Sequence, residues 1–206
     1  MKKLILILFI SILLVGCGSP SNEDKDTSVV RVGIVGSDSK TWTHIKEEAA
    51  KEGIDVQLIF FDSYPLPNRA LDNSELELNA FQHHIYFNQE VEELGYNLSV
   101  LAETVYAPLG LYSKKISSLD EVKDGDTIVI PDDATNGGRA LLLLEKHGFI
   151  KLKDDVGQLP TKNDIETYLV DVEILELAAN NTPSSLNEVA LAAINSGIAT
   201  DAGLVP

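Results

Sequence analysis

DTIVIPDDATNGGRALLLLEKHG, residues 126–148, reads as strand, loop and helix. TIVI (127–130) is a short β-branched run ended by Pro131, the pattern of a parallel strand. Residues 132–136 carry turn chemistry, Asn136 is the expected N-cap, and Gly137, Gly138 and Arg139 form the first helical turn. Gly148 is the expected stop. Each glycine costs about 1 kcal/mol of helix propensity, so some other requirement keeps the pair at 137–138. Lacking side chains, they bare backbone N–H groups where the helix dipole favours an anion. Arg139 adds a planar fork suited to a carboxylate or phosphate. On the residues alone two readings stay open: a small-anion site at a helix N-terminus, or a glycine-softened turn beside a surface arginine.

Toward the N-terminus, MKK (1–3) is a basic start and 4–15 is an apolar run too short for an ordinary spanning helix. LVGC (14–17) then matches the bacterial lipobox, in which the leader is cut before Cys17 and that cysteine is lipidated. Cys17 is the one cysteine among 206 residues, which excludes a disulfide framework; its bland alternative is a lone buried thiol. A diacylglyceryl thioether carries two acyl chains and anchors stably where a single chain does not. Residues 17–28 are polar and aperiodic, a flexible tether, and the folded part is expected from Val29, outside the cytoplasmic membrane. The net charge of −16 argues against nucleic acid as a partner. With 44% hydrophobic and 23% charged residues the chain can bury a core.

Along the rest of the chain, VVRVGIV (29–35) and VQLIFF (56–61) read as strands flanking a helix over 42–52, whose apolar face is Ile45, Ala49 and Ala50. This βαβ unit implies parallel strands and a right-handed crossover. DSYPLPN (62–68) is expected as loop because of Pro65 and Pro67. A short helix over 69–76, a strand over 78–81, a helix over 82–94 stopped by Gly95 and a strand over 98–101 follow. A strand over 104–113 is expected to leave a first lobe and enter a second. The second lobe adds to the 126–148 unit a short helix over 118–122, a helix over 162–168, a strand over 172–177, a helix led by 184–187 and a strand over 191–194. The boundaries drawn are 1–16 leader, 17–28 tether, 29–105 first α/β lobe, 106–195 second α/β lobe and 196–206 return crossing toward the first lobe. Two α/β lobes joined by two crossings suit a ligand cleft walled by loops at strand C-termini.

The blocks VGIVGSDS (32–39), FDSYPLPNRAL (61–71), LNAFQHHIYFNQ (78–89), APLGLYSKKISSLDEVKDG (107–125), NGGRALLLL (136–144), ELAANNTPSSL (176–186) and AAINSGIATDAGL (192–204) make the chain resemble the NlpA lipoprotein family, the methionine-binding lipoproteins of ABC importers. The resemblance implies a two-lobed, periplasmic-binding-protein-like α/β fold and extracytoplasmic capture of methionine, L or D, or a close derivative. It also implies lipid anchorage through Cys17 at the cell membrane, delivery to a membrane permease, and neither catalysis nor a cofactor in this chain. A phosphate-binding G-x-x-x-x-G-K-[ST] loop is missing from the sequence. Carried over position by position, Arg139 would clamp the ligand carboxylate with Asn136 beside it, and Asn195 would bond the α-amino or carboxylate group. Tyr64, Phe81, His83, Tyr86 and Tyr106 would wall the side-chain pocket. Sulfur–aromatic contacts worth about 0.3–1.5 kcal/mol each suit a thioether; ordinary core packing is the alternative for these rings. The chain departs from the family pattern at Ser184, where members often carry Arg, and at Pro206, beyond which members continue. The first lobe is therefore expected to be incomplete and the return crossing truncated.

Three rival readings have less behind them. A metal-binding lipoprotein would use His44, His83, His84 and His147, but adjacent His83 and His84 diverge on any regular element, and no cysteine or His-x-Glu cluster supports them. An enzyme would need a nucleophile elbow that the sequence lacks. A truncated, non-transporting surface lipoprotein is the third.

Overall fold

The computed structural model describes residues 27–37 and 40–205. The leader, Cys17 and the tether up to residue 26 lie outside the described residues. Strand β1 (Ser28–Val35), helix α1 (Lys40–Lys51) and strand β2 (Ile54–Phe61) form the expected βαβ unit, with β1 and β2 parallel and Ser28 opposite Ile54. Alternation along β1 sends Val30, Val32 and Ile34 to one face, where they pack with Val56, Leu58, Trp42 and Ala49. None of the α1 residues is fully buried, and Ile45 of its expected apolar face is exposed.

Helix α2 (Pro65–Asp72) starts inside the stretch expected to be loop. Pro65 takes the first helical position, where the missing N–H has no intrahelical partner to lose and the fixed φ suits a helix. Strand β3 (Leu78–Asn79) pairs in parallel with β1 on the flank away from β2. Helix α3 (His84–Leu94) ends at Gly95, whose φ of 70° is the left-handed cap expected there. The strand expected over 98–101 does not form. A strand is held by a neighbour's backbone, no described strand pairs with this segment, and Leu101 is 80% exposed.

In the second lobe, strands β4 (Leu109–Tyr112) and β5 (Thr127–Pro131) precede helix α4 (Ala134–Lys146). Of the strand expected over 104–113, only the latter part, Leu109–Tyr112, forms. Strands β6 (Ile150–Leu152), β7 (Ile165–Tyr168), β8 (Glu173–Leu177) and β9 (Leu191–Asn195) follow, then helix α5 (Ser196–Asp201). The main sheet runs β4-β9-β5-β8, with β5 parallel to both flanking strands and β4 antiparallel to β9. As a central parallel strand, β5 is covered on both faces: Ile128 and Ile130 pack with Leu141 and Leu144 of α4, while Val129 packs with Leu186 and Ile194. The helix expected over 162–168 is instead a 3-10 turn (Lys162–Asp164) leading into β7, which pairs antiparallel with β6. Ile165, Thr167 and Tyr168 are β-branched or aromatic, and a pairing partner decides such a segment. The helix expected from 184 is a 3-10 segment, Ala179–Asn187, with Pro183 inside it.

Each sheet reverses its winding at one point. After β1 the chain pairs β2 on one flank and β3 on the other, and after β5 it pairs β8 on one flank and β9 on the other. Loops diverge at the carboxyl ends of such strands and leave a crevice. Ser37 after β1, His83 after β3, Asp133 after β5 and Asn195 at the end of β9 all sit at these ends. No helix among the described residues is long and apolar enough to cross a membrane.

Candidate functional site

The start of α4 differs from its reading in the sequence. Asp133, not Asn136, is the N-cap: its carboxylate accepts the Asn136 backbone N–H at 2.9 Å and the Thr135 hydroxyl at 2.8 Å. The helix N-terminus is thus filled by the chain's own anion. Gly137 and Gly138 serve packing. A Cβ on Gly137 would stand 2.8 Å from the Pro131 carbonyl oxygen, and one on Gly138 would stand 3.1 Å from the Leu159 Cα.

Asp133 also orients the Asn136 side chain. Both of its carboxylate oxygens accept from Asn136 Nδ2 at 3.0 Å, which turns the amide oxygen toward the cleft. Three donors converge on that oxygen: Arg139 Nη1 at 2.9 Å, Asn195 Nδ2 at 2.8 Å and His83 Nε2 at 3.1 Å. The His83 tautomer follows from its other nitrogen. Nδ1 accepts the Tyr86 backbone N–H at 3.1 Å, so the proton of the neutral ring sits on Nε2. His83 comes from the first lobe and the other two donors from the second. Arg139 also reaches the Ala107 carbonyl with Nη2 at 3.3 Å. Asn195 Oδ1 is buried without a partner among the described residues.

Beside this knot stand three rings of the first lobe. Tyr64 stacks on Phe81 with centroids 6.0 Å apart, and Tyr86 meets them edge-on at 5.9 and 6.0 Å. Such offset and edge-to-face pairs are favoured by ring quadrupoles. Rings, His83, Asn136 and Asn195 enclose a cavity of about 20 Å³, room for a water and no more. A second space of about 200 Å³ shares Tyr64 and Tyr86 and is bounded by Asp62, Asp132, Asp133 and Ile198. A solute larger than water enters the first cavity only if the lobes part or the wall side chains move.

Of the residues singled out in the sequence, Tyr64, Phe81, His83, Tyr86, Asn136 and Asn195 line one cavity. Arg139 stands behind Asn136, partly buried, and is not a lining residue. Tyr106 is 99% exposed and forms no part of the wall, contrary to expectation, because residues 95–108 run as irregular chain and do not pack it. Gln82 lines the cavity and Asp133 sets its key amide, and neither stood out in the sequence. The FQH block pointed at Gln82; PDDATN offers several capping residues in a row and hid the role of Asp133.

Burial dominates the electrostatics. It lowers the His83 pKa from its ordinary 6.5, with the Arg139 charge adding to the effect and the hydrogen bond to Asn136 opposing it. The ring is therefore neutral near pH 7. Burial likewise raises the Tyr64 and Tyr86 hydroxyls, which stay protonated, and lowers Arg139, which remains a cation.

Two α/β lobes whose facing strand ends supply an anion-seeking donor knot and an aromatic cage define a solute-binding protein of the periplasmic-binding type. The chain belongs to the NlpA lipoprotein family, whose profile matches residues 30–206. It is 44% identical over 200 residues to the D-methionine-binding lipoprotein MetQ of Salmonella typhimurium, covering 95% of this chain and 73% of that protein. The crystal structure of the methionine-binding protein MetQ superimposes with a TM-score of 0.82 at 42% identity, over 89% of this chain and 76% of that one. The substrate-binding protein of a methionine transporter from Streptococcus pneumoniae gives a TM-score of 0.82 at 34% identity, over 86% of this chain and 72% of that one.

Proposed function

We propose that this protein captures methionine, as the L or D form or a close derivative, outside the cytoplasmic membrane and delivers it to the permease of an ABC importer. The observation that carries the reading is the oversubscribed Asn136 oxygen. Three donors meet on an atom with two lone pairs, one of them a guanidinium. A carboxylate offers two oxygens and about four lone-pair sites and satisfies such a set better. In the bound state the ligand carboxylate takes the donors that Asn136 Oδ1 now holds. The unpartnered Asn195 Oδ1 accepts from the α-ammonium group. The side chain lies among Tyr64, Phe81 and Tyr86, where a thioether gains sulfur–aromatic contact. Closure of the two lobes dries the ion pair and strengthens it.

The same reading gives the chain a lipid anchor at Cys17, a tether up to residue 28, a first lobe over 29–105, a second over 106–195 and a return crossing from 196. Neither catalysis nor a cofactor enters it. Mass spectrometry of small molecules released from the purified protein tests the ligand: methionine or a methionine derivative supports the reading, and a chemically unrelated solute held in stoichiometric amount overturns it.

A further inference from the structure

Behind the first-lobe wall lies a polar frame that reaches the cavity only through Gln82. Asn68 of α2 is 0% exposed. Its amide pairs reciprocally with Gln82, donating at 2.8 Å and accepting at 2.7 Å, and its oxygen also accepts from Asn79 at 2.9 Å. Every side-chain nitrogen and oxygen of this trio has a partner, since Gln82 also donates to the Asn79 oxygen at 3.3 Å. Glu90, one turn beyond Tyr86 on α3, fits less well. Its Oε1 meets the Tyr86 hydroxyl at 3.3 Å, and its Oε2 is buried with no partner among the described residues.

One long hydrogen bond from Tyr86, a neighbouring Asn68 amide already engaged with Gln82, and one bare buried oxygen solvate a carboxylate poorly. The neutral acid carries no such charge and has the Tyr86 oxygen as acceptor for its proton. We propose that Glu90 is a positioning residue for ligand binding: as a neutral carboxylic acid it fixes the Tyr86 hydroxyl, and with it the aromatic wall that grips the ligand side chain. This rests on the methionine reading above. The groups around Glu90 agree. Burial is the main cause that raises its pKa from the ordinary 4.5, and the charges of Glu93 on its own helix and Asp133 across the cleft raise it further. Hydrogen bonding from Asn68 and Tyr86 pulls it partly back. Tyr96 lies near enough to feel Glu90, together with Arg69 and Asp72. The lone cation in that set acts on Tyr96 and is not among the causes that shift Glu90.

Closing the cleft on ligand favours the neutral acid further, so binding takes up protons where Glu90 titrates. Affinity then falls as pH rises through that range. His83 titrates separately: its protonation places a second proton on Nδ1, which then no longer accepts the Tyr86 backbone N–H. The test is calorimetric titration of the purified protein with L-methionine and D-methionine across pH, in buffers of different ionisation enthalpy, which reads proton uptake directly. The wild type is expected to take up protons, and Glu90→Gln, an uncharged isostere, to bind without that uptake and to keep only the His83 dependence. Glu90→Leu, which strands the Tyr86 hydroxyl, is expected to lose about tenfold in affinity while circular dichroism shows a folded protein. Equal proton uptake in wild type and Glu90→Gln overturns the proposal, as does a folded Glu90→Leu that binds like wild type. A wild type that binds no methionine at any pH overturns the methionine reading itself, and this proposal with it.

Discussion

Arg139 donates one nitrogen to Asn136 and the other to the Ala107 carbonyl, and so stands one side chain away from the cavity. If a ligand carboxylate displaces the Asn136 oxygen, Arg139→Ala leaves that carboxylate short of a charge-assisted hydrogen bond. Such a bond is worth about 1.5–3 kcal/mol, or about 10- to 150-fold in affinity. Titration calorimetry of the variant reads the loss; unchanged affinity removes Arg139 from the site. His83 makes a pH prediction. Its folded pKa lies below the ordinary 6.5, so the folded state binds fewer protons than the unfolded one. The stability it supports is therefore complete above about pH 6.5 and is lost as pH falls through the folded value. Urea midpoints measured on either side of that range are expected to drop on the acid side for the wild type and to drop less for His83→Asn. At this scale the sequence showed the donors through the NGGR and FQH blocks, but not the Asp133 clamp or the Asn68–Glu90 frame. Those depend on pairs such as Asn68–Gln82 and Tyr86–Glu90, which only the folded chain brings together.

The beginning of α4 is where the element-level reading was half right. Residues 126–148 do form strand, loop and helix, because a β-branched run, a turn and a 3.6-residue apolar stripe are all local signals. In the sequence the glycines suit either bared N–H groups or a softened turn, and the structure gives them a packing role against Pro131 and Leu159. Gly137→Ala is therefore expected to destabilise, although alanine is the better helix former by about 1 kcal/mol, because overpacking against fixed backbone costs about 1–3 kcal/mol. Chemical denaturation reads the sign directly, and a more stable variant contradicts the packing role. The strand β7 was missed for a different reason. Residues 162–168 are polar with weak periodicity, and what makes them a strand is β6, a three-residue partner more than ten residues upstream. Likewise LSVL at 98–101 suggests a strand that no described neighbour completes.

At the scale of the whole molecule, the two lobes are unequal. Ile128, Ile130 and Ile194 of the second sheet are at 0% exposure, whereas Phe60 at the edge of the first is 48% exposed and α1 has no fully buried residue. The second lobe is thus the better-packed body, and the first carries the aromatic wall on a lighter frame. Local opening is expected first where apolar burial is sparse. Hydrogen exchange should accordingly be faster in α1 and β2 than in β5 and α4, and the reverse order contradicts this division. The two-lobed α/β architecture was legible because apolar runs and glycine stops recur in order. The cleft geometry was not, since it depends on where two sheets reverse their winding. A ligand held across that cleft ties the lobes together and stabilises the fold by about 2.7 kcal/mol at about 100 times its dissociation constant.

The most direct test of ligand capture between the lobes is titration calorimetry of the purified protein with L-methionine and D-methionine, wild type beside Arg139→Ala. Saturable one-to-one binding of at least one of these forms, weakened in the variant, is the predicted result. No binding of either form by the folded wild type, or binding that the variant leaves unchanged, contradicts a carboxylate-gripping donor knot as the working part of this protein.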